Sequence, residues 1–237
     1  MKNSIRTNAL LGALSALLIV AAPAALAQVR ITEVAPWSSG NSPIAADWFE
    51  LTNTGTSAVS LAGWKIDDDS AAFSSAVAMS GIGSIAAGES VIFIETSSAT
   101  TVSSFISTWF NGNKPAGLQI GMYSGSGVGL GAGGDQVNVF DASGVLQAAI
   151  KFGTSDSTSP FQTFDNAQGV NGTGTTISVL SVTGSNGAFV ALGDSGEIGS
   201  PGSIATVVPE PASYALLLGG LVLIGALGRR ARNANEN

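Results

Sequence analysis

Short apolar or alternating segments recur along the middle of the chain, and turn-forming Gly, Asn, Asp and Ser residues separate them. This spacing is typical of an all-β domain, because strands of about four to eight residues end where the chain must turn. Nine segments have the pattern: Val29 to Ala35, Trp48 to Asn53, Trp64 to Asp67, Val91 to Glu95, Leu118 to Tyr123, Gln136 to Phe140, Val145 to Phe152, Thr176 to Val182 and Ala188 to Leu192. Nine short strands predict a β-sandwich.

One segment, Thr100 to Phe110, has helical spacing instead. Its apolar positions i, i+3, i+4 and i+7 are Val102, Phe105, Ile106 and Trp109. These positions form one apolar stripe on a helix. We expect this helix to cross one end of the sandwich.

Two connections between the predicted strands are long. Ser124 to Gly134 is rich in glycine and predicts a surface loop, while Thr154 to Gly174 is polar apart from Phe161 and Phe164. We expect these two phenylalanines to fold over an edge of a sheet. Asp141 to Gly144 predicts a hairpin turn, because Asp caps its own turn and Gly accepts positive φ.

The first 27 residues have the pattern of a secretory signal peptide. Two cations precede an apolar run from Ala9 to Val20, and Ala25 and Ala27 form a small-residue cleavage site. We therefore expect signal peptidase to remove residues 1–27, so that the mature chain begins near Gln28.

An apolar run of 17 residues, 212–228, lies near the other end of the chain. As a helix it would measure about 25 Å, slightly less than a ~30 Å hydrocarbon core. Arg229, Arg230 and Arg232 follow it. By the positive-inside rule these cations keep residues 233–237 in the cytoplasm, so everything before the helix lies outside the inner membrane.

Pro209, Glu210 and Pro211 precede this apolar run. A Pro-Glu-Pro triplet, a short membrane helix and an Arg cluster in this order resemble the PEP-CTERM sorting signal of Gram-negative exopolysaccharide producers. The resemblance covers residues 207–232 and implies an exosortase that recognises the triplet and removes the helix, delivering the product to the cell surface or extracellular matrix. The alternative is a plain tail anchor with an incidental triplet.

The composition of residues 28–208 excludes several kinds of chemistry. The segment has fourteen acidic and four basic residues, a formal charge of −10, and the whole chain has neither Cys nor His. Thiol catalysis and thiolate metal sites are excluded, as are the usual general base and the commonest transition-metal ligand. Affinity for DNA comes largely from cations that replace condensed counterions, so we expect no nucleic-acid partner.

Three consecutive pieces of sequence carry a second resemblance: residues 30–34 (RITEV), 47–55 (DWFELTNTG) and 59–68 (VSLAGWKIDD). They resemble the opening of the lamin tail domain, and residues 87–90, 134–137 and 199–202 resemble its later parts. The resemblance implies an immunoglobulin-like β-sandwich over residues 28–206, with Leu61 and Trp64 packed between the sheets. Ser70 to Ser84, rich in Ala and Ser, is a looser connection than this pattern leads us to expect.

Few residues are candidates for a functional site. Asp67, Asp68 and Asp69 could donate oxygens to Ca²⁺, although a solvated loop is the plainer interpretation. Glu33 and Glu50 have the residue types of a glycosidase pair, but a Glu in an alternating strand is more often solvent-facing or paired with backbone donors.

Two further segments offer weaker signals. Trp37 is either a ligand platform or the packed edge of a loop. The glycines from Gly125 to Gly131 have phosphate-loop spacing, but neither a Lys nor a helix follows them. Serine nucleophiles lack an activating His. We therefore predict no catalytic residues and no cofactor.

Together these features predict an exported, non-catalytic surface or matrix protein. Its sandwich would act as a structural or interaction module, held at the inner membrane by its C-terminal helix until an exosortase processes it. The partners would be extracellular polysaccharide or other surface proteins. The alternatives are a calcium- or carbohydrate-binding adhesive module and, less in keeping with the sequence, a secreted hydrolase.

Overall fold

The strands of the computed structural model follow the alternating segments of the sequence. The structure describes residues 29–37, 43–125, 127–155, 158–172 and 174–203, so the predicted signal peptide and sorting signal lie outside the described residues. The strands are β1 (Val29–Ala35), β2 (Trp48–Asn53), β3 (Val59–Ser60), β4 (Lys65–Asp67), β5 (Val77–Ser80), β6 (Ser84–Ile85), β7 (Ser90–Glu95), β8 (Gln119–Tyr123), β9 (Asp135–Phe140), β10 (Leu146–Phe152), β11 (Phe161–Gln162), β12 (Phe164–Asp165), β13 (Thr176–Ile177), β14 (Phe189–Val190) and β15 (Glu197–Gly199). One helix, α1 (Ala99–Phe110), is found among the described residues.

Ten of these strands form one hydrogen-bonded sheet in the order β12-β1-β2-β7-β8-β5-β4-β9-β10-β13. The sheet folds over on itself at β5, which pairs with β8 on one side and with β4 on the other. Its two ends meet where Phe164 of β12 bridges Leu180, just beyond β13. The result is an immunoglobulin-like β-sandwich whose ten-stranded sheet almost closes.

The space between the two halves of the sheet is filled by the inward-facing side chains. Phe49 and Leu51 of β2 face inward, and Leu61 and Trp64 are buried in the same cluster, as the sequence predicted. The rings of Phe49 and Phe93 stack at 5.7 Å. Burial of these apolar side chains stabilises the sandwich by removing their surface from water.

A second apolar cluster covers the outer face of strands β1, β2, β7 and β8. Trp48, Ile92 and Ile94 project outward from the sheet and pack against Phe105 and Trp109 of α1. The helix therefore lies on a face of the sandwich, not across one end as we expected. The alternation of β2 explains this, because its outward positions are as apolar as its inward ones and need a cover.

Both ends of α1 are hydrogen-bonded. Ser98 caps the first turn by accepting from the Thr100 amide at 3.2 Å. At the other end, Leu192 and Gly193 donate to the carbonyls of Trp109 and Thr108. These bonds fix the helix to the segment that follows β14.

The connection between β4 and β7 is more ordered than its Ala- and Ser-rich sequence suggested. It contains β5 and β6, which the apolar pattern did not predict. Conversely, the expected strand from Thr176 to Val182 is a regular strand only at β13. Further along the same segment, Leu180 forms a single β-bridge. In the polar connection, β12 pairs with β1 and so covers that edge of the sheet, as predicted. Among the described residues, no helix is long and apolar enough to span a membrane.

Candidate functional site

Glu33 and Glu50 face each other on neighbouring strands and are both fully buried. They are direct partners in the antiparallel pairing of β1 with β2, just after a bulge at Thr32. Both side chains have 0% exposure. Of the two alternatives that the sequence left open, facing solvent or pairing with backbone donors, the structure shows the second at both residues.

The last described segment of the chain supplies those donors. Ser200 donates its amide to Glu33 Oε1 at 2.7 Å, and Gly202 donates its amide to Glu50 Oε2 at 2.6 Å. Hydroxyl groups complete the set: Thr163 donates to Glu33 Oε1, and Thr32 donates to Glu50 Oε1 at 2.6 Å. Glu33 Oε2 has no hydrogen-bond partner.

Burial and the hydrogen-bond donors affect the two glutamates to different extents. Burial, and then the charge of Glu50, raises the pKa of Glu33 to about 8. Burial also raises the pKa of Glu50, to about 7. Both oxygens of Glu50 accept hydrogen bonds, whereas Glu33 keeps one oxygen without a donor, so Glu33 is the protonated partner at neutral pH.

No substrate can reach this pair. A Cβ atom on Gly199 would lie 2.6 Å from Glu33 Oε1 and 2.8 Å from the Trp109 ring, so the segment around Gly199 packs tightly over the carboxyl group. The pair lacks the water-accessible space that glycoside hydrolysis requires. Its chemistry is structural: it ties β1, β2 and the C-terminal segment together.

A second group of carboxylates lies at one end of the sandwich. Asp47 is fully buried, while Glu95 is half-buried and hydrogen-bonds to Asp47. Burial and the neighbouring Asp47 raise the pKa of Glu95 to about 7. Tyr123 is buried beside them, and its hydroxyl has no hydrogen-bond partner.

The glycine-rich connection before β9 closes this end. Its Val128 and Leu130 are buried in the inter-sheet cluster. Leu130 donates its amide to Asp47 Oδ2 at 2.8 Å. The segment is therefore a plug for the sandwich end and not only the surface loop that we expected.

Asp67, Asp68 and Asp69 have different surroundings. Asp67 is fully buried, and its carboxylate accepts bonds from the Ala72 amide at 2.7 Å and the Ser75 hydroxyl at 3.0 Å. Asp68 is half-buried and Asp69 is exposed. Asp67 thus organises the turn after β4, and calcium at the three aspartates stays a prediction.

An open groove of about 500 Å³ lies next to these aspartates. Its charged lining side chains are Asp69, Asp135 and Lys151. Burial is the main cause that raises the pKa of Asp135, and the charge of Asp69 adds to it. Within the described residues, no three carboxylates lie close enough together to hold a metal ion by themselves.

The sequence left two alternatives for Trp37, a ligand platform or a packed side chain, and the structure shows a packed side chain. Its exposure is 0%, and its ring meets Trp48 edge-on at 6.4 Å and Phe161 at 6.2 Å. No ligand could stack on a ring buried in this way. The sequence did not single out Asp47, Glu95 or Tyr123, although each stands at the start or end of an apolar strand where alternation places it on the core face.

The fold and the buried segment that closes it define a β-sandwich domain of immunoglobulin type. The chain belongs to the Lamin Tail Domain family, whose model matches residues 22–154. The PEP-CTERM protein-sorting motif matches residues 207–233. A search of curated proteins finds no match to this chain.

The two matched families are structural and sorting modules. The sorting motif implies processing by an exosortase, membrane-anchored export and sorting to the surface. Residues 155–206 lie between the two matches, and they include the segment that covers Glu33 and Glu50.

Proposed function

We propose that this protein is an exported, non-catalytic component of the cell surface or extracellular matrix. Its lamin-tail sandwich acts as a rigid interaction module for extracellular polysaccharide or other surface proteins. The observation that carries the proposal is the presence, in one chain, of a lamin tail domain and a C-terminal sorting motif. The first supplies a folded body and the second an export route.

The polar chemistry of the described residues supports a non-catalytic role. Glu33, the carboxyl group with the highest raised pKa, and its neighbour Glu50 are both fully buried and serve to hold strands together. The chain has no His or Cys to act as base or nucleophile. Catalysis requires reactive groups that a substrate can touch.

The order of the segments follows from the same proposal. Signal peptidase cuts after Ala27, and the domain at 28–206 is exported. The helix at 212–228 stays in the inner membrane with residues 233–237 inside, until the exosortase recognises Pro209, Glu210 and Pro211. The cations Arg229, Arg230 and Arg232 hold the helix in this orientation.

The test is mass spectrometry of the mature protein isolated from its host. We expect an N-terminus near Gln28 and a C-terminus near Pro211, with the apolar helix removed. A Glu210→Ala variant should keep the helix and remain in the inner membrane, because it lacks the central residue of the recognised triplet.

Thr206→Ala is the matched control, since Thr206 lies just before the matched motif. It should be processed like the native chain. Recovery of native and Glu210→Ala proteins with the same uncut C-terminus would contradict exosortase processing. Turnover of a polysaccharide or ester substrate by the purified protein would contradict the non-catalytic role.

A further inference from the structure

Three neighbouring strands place polar side chains at the same end of the sandwich. Glu95 is the last residue of β7, and it pairs with Tyr123, the last residue of the parallel strand β8. Asp47 immediately precedes β2, and its carbonyl accepts the Glu95 amide at 2.8 Å. The three residues therefore lie side by side across the sheet.

Their side chains also point to the same face. Side chains alternate along a strand, so Asp47 shares the inward face with Phe49, and Glu95 shares it with Phe93. Tyr123 belongs to the inner cluster and contacts Phe49 at 5.6 Å between ring centroids. Two carboxyl groups and a hydroxyl thus converge at the mouth of the inter-sheet space.

The plug formed by Gly127 to Gly134 approaches these groups with three consecutive residues. A Cβ on Gly129 would lie 3.4 Å from Glu95 Oε1. Leu130 bonds to Asp47 as described, and Gly131 donates its amide to Asp135 Oδ2 at 2.7 Å. Glycines at both sides of Leu130 let the backbone come this close.

The hydroxyl of Tyr123 is an independent sign of a missing partner. Tyr123 is 1% exposed, and its hydroxyl has no hydrogen-bond partner, although buried hydroxyls usually have one. The charges of Asp47, Glu95 and Asp135 all act on it. This oxygen therefore lies within the field of the carboxylates and is available to a ligand.

We propose that this end of the sandwich binds one Ca²⁺ ion, held by the carboxylates of Asp47 and Glu95 and by the hydroxyl of Tyr123 beneath the glycine-rich plug. All three donors are oxygens, which hard cations prefer, and Ca²⁺ accepts irregular surroundings of six to eight oxygens. Water supplies the remaining ligands. The site is distinct from Asp67 to Asp69.

Mg²⁺ fits this arrangement less well. It demands near-ideal octahedral geometry at about 2.0–2.1 Å and gives up its water reluctantly. The end of the sandwich offers donors fixed on separate strands, which suits the larger ion with its less demanding geometry. A calcium ion here would join β2, β7, β8 and the plug.

The test is calorimetric titration of the full chain in detergent, freed of metal with a chelator, with CaCl₂ and separately with MgCl₂. We expect one saturable calcium site with a Kd on the order of 10⁻⁴–10⁻³ M, the range of extracellular modules. Hydrogen exchange should slow at the amides of Gly129 to Gly131 when calcium is added.

Glu95→Gln should weaken calcium binding at least tenfold and abolish the protection of the plug. Tyr123→Phe keeps the buried ring and removes only the oxygen, so it tests the site without emptying the core, even if Glu95→Gln fails to fold. Asp69→Asn is the matched control: it removes one charge from the same end of the molecule but none of the three proposed ligands, and should bind calcium normally.

Four results would overturn the proposal. One is no saturable calcium binding by the native chain. Another is an equal loss in Asp69→Asn and Glu95→Gln, which would indicate diffuse attraction to an acidic surface. The other two are equal affinity for Mg²⁺ and unchanged binding in Tyr123→Phe.

Discussion

A buried carboxyl group is tolerated only if it is neutralised or well hydrogen-bonded, and the two facing glutamates divide these solutions between them. Glu50 carries the charge, because both its oxygens accept donors, from Thr32 and Gly202. Glu33 carries the proton, because one of its oxygens has no donor. The two side chains therefore respond differently to replacement by the neutral amide.

We expect stability to fall as pH rises from about 4.5 to about 8. The pKa of Glu33 is raised to about 8 by burial and by Glu50, so the folded form keeps a proton that the unfolded form has released. One unit of pKa shift corresponds to about 1.4 kcal/mol, so the free energy of unfolding should fall by several kcal/mol across this pH range. Urea unfolding at pH 5, 6, 7 and 8 measures the slope.

The Glu33→Gln variant should lose the part of this slope that Glu33 contributes, while the part due to Glu50, whose pKa is raised to about 7, remains. It should be more stable than the native protein at pH 8. Its amide nitrogen takes the place of the oxygen that has no donor, so no hydrogen bond is lost. Glu50→Gln is the contrast, because its amide nitrogen faces a donor, and it should be less stable at every pH. The same slope in native and Glu33→Gln proteins would show that Glu33 is not the proton carrier.

The sequence singled out these two glutamates but could not reveal that they are buried. Alternation correctly put Glu50 on the face opposite Phe49 and Leu51, but that face is buried only because α1 and the C-terminal segment cover it. The hydrogen-bond donors come from Ser200 and Gly202, more than a hundred residues further along the chain. The alternation along a strand shows which side chains share a face, but not which distant segments of the chain pack on that face.

Among the secondary-structure elements, the segment around β15 holds together the parts of the chain that pack on the outer face of the sheet. It pairs with β11 and β14, and Gly199 fits between Glu33, Thr163 and Trp109. Because these neighbours belong to β1, the β11–β12 connection and α1, a single side chain at Gly199 would strain contacts between four parts of the fold.

Gly199→Ala should therefore reduce the free energy of unfolding by about 1–3 kcal/mol, the usual cost of overpacking. The added Cβ would lie 2.6 Å from Glu33 Oε1, 2.8 Å from Trp109 and 2.9 Å from Thr163. Thermal and urea unfolding measure the change. Gly153→Ala is the control, since a Cβ there meets nothing within 4 Å, and equal stability of the two variants would contradict the packing described.

The helix and strands were predicted correctly where the apolar pattern is strong. They were missed where pairing with neighbouring strands determines the structure. β1, β2 and α1 were predicted to within a residue, because each has many apolar positions at one period. β5 was missed: its residues, Val77 to Ser80, lie in an Ala- and Ser-rich stretch and form a strand because β4 and β8 offer hydrogen bonds on both sides.

For the molecule as a whole, the near-closure of the ten-stranded sheet matters most. Ser181 donates its amide to the Thr163 carbonyl at 2.9 Å, and Asp165 donates to the Val179 carbonyl at 2.9 Å. These bonds join the two ends of the sheet. An exposed sheet edge is a template for pairing with another chain, so the joint also protects against association.

Ser181→Pro should open this joint, because proline has no amide hydrogen and cannot donate to Thr163. We expect a loss of about 1–3 kcal/mol and concentration-dependent association seen by light scattering after size exclusion. Ser181→Ala keeps the amide and should associate no more than the native protein. A Ser181→Pro protein with the native elution profile and stability would show that the joint does not protect the edge.

The fold class and family membership could be predicted from the sequence, because the strand pattern and the pieces around Glu33, Trp48 and Trp64 are local. The carboxylates at the sandwich end could not, since Asp47, Glu95 and Tyr123 come together only through the register of β2, β7 and β8. A site assembled from the ends of separate strands has no characteristic spacing that the sequence would reveal.

The bond from Gly202 to Glu50 also defines how force would enter the molecule. In the proposed anchored form, the chain continues from Gly202 towards the membrane helix, so a pull from the membrane side would load this bond and the Ser200 bond to Glu33. Under force, the C-terminal segment on the outer face of the sheet would detach first, while the inter-sheet core stays folded.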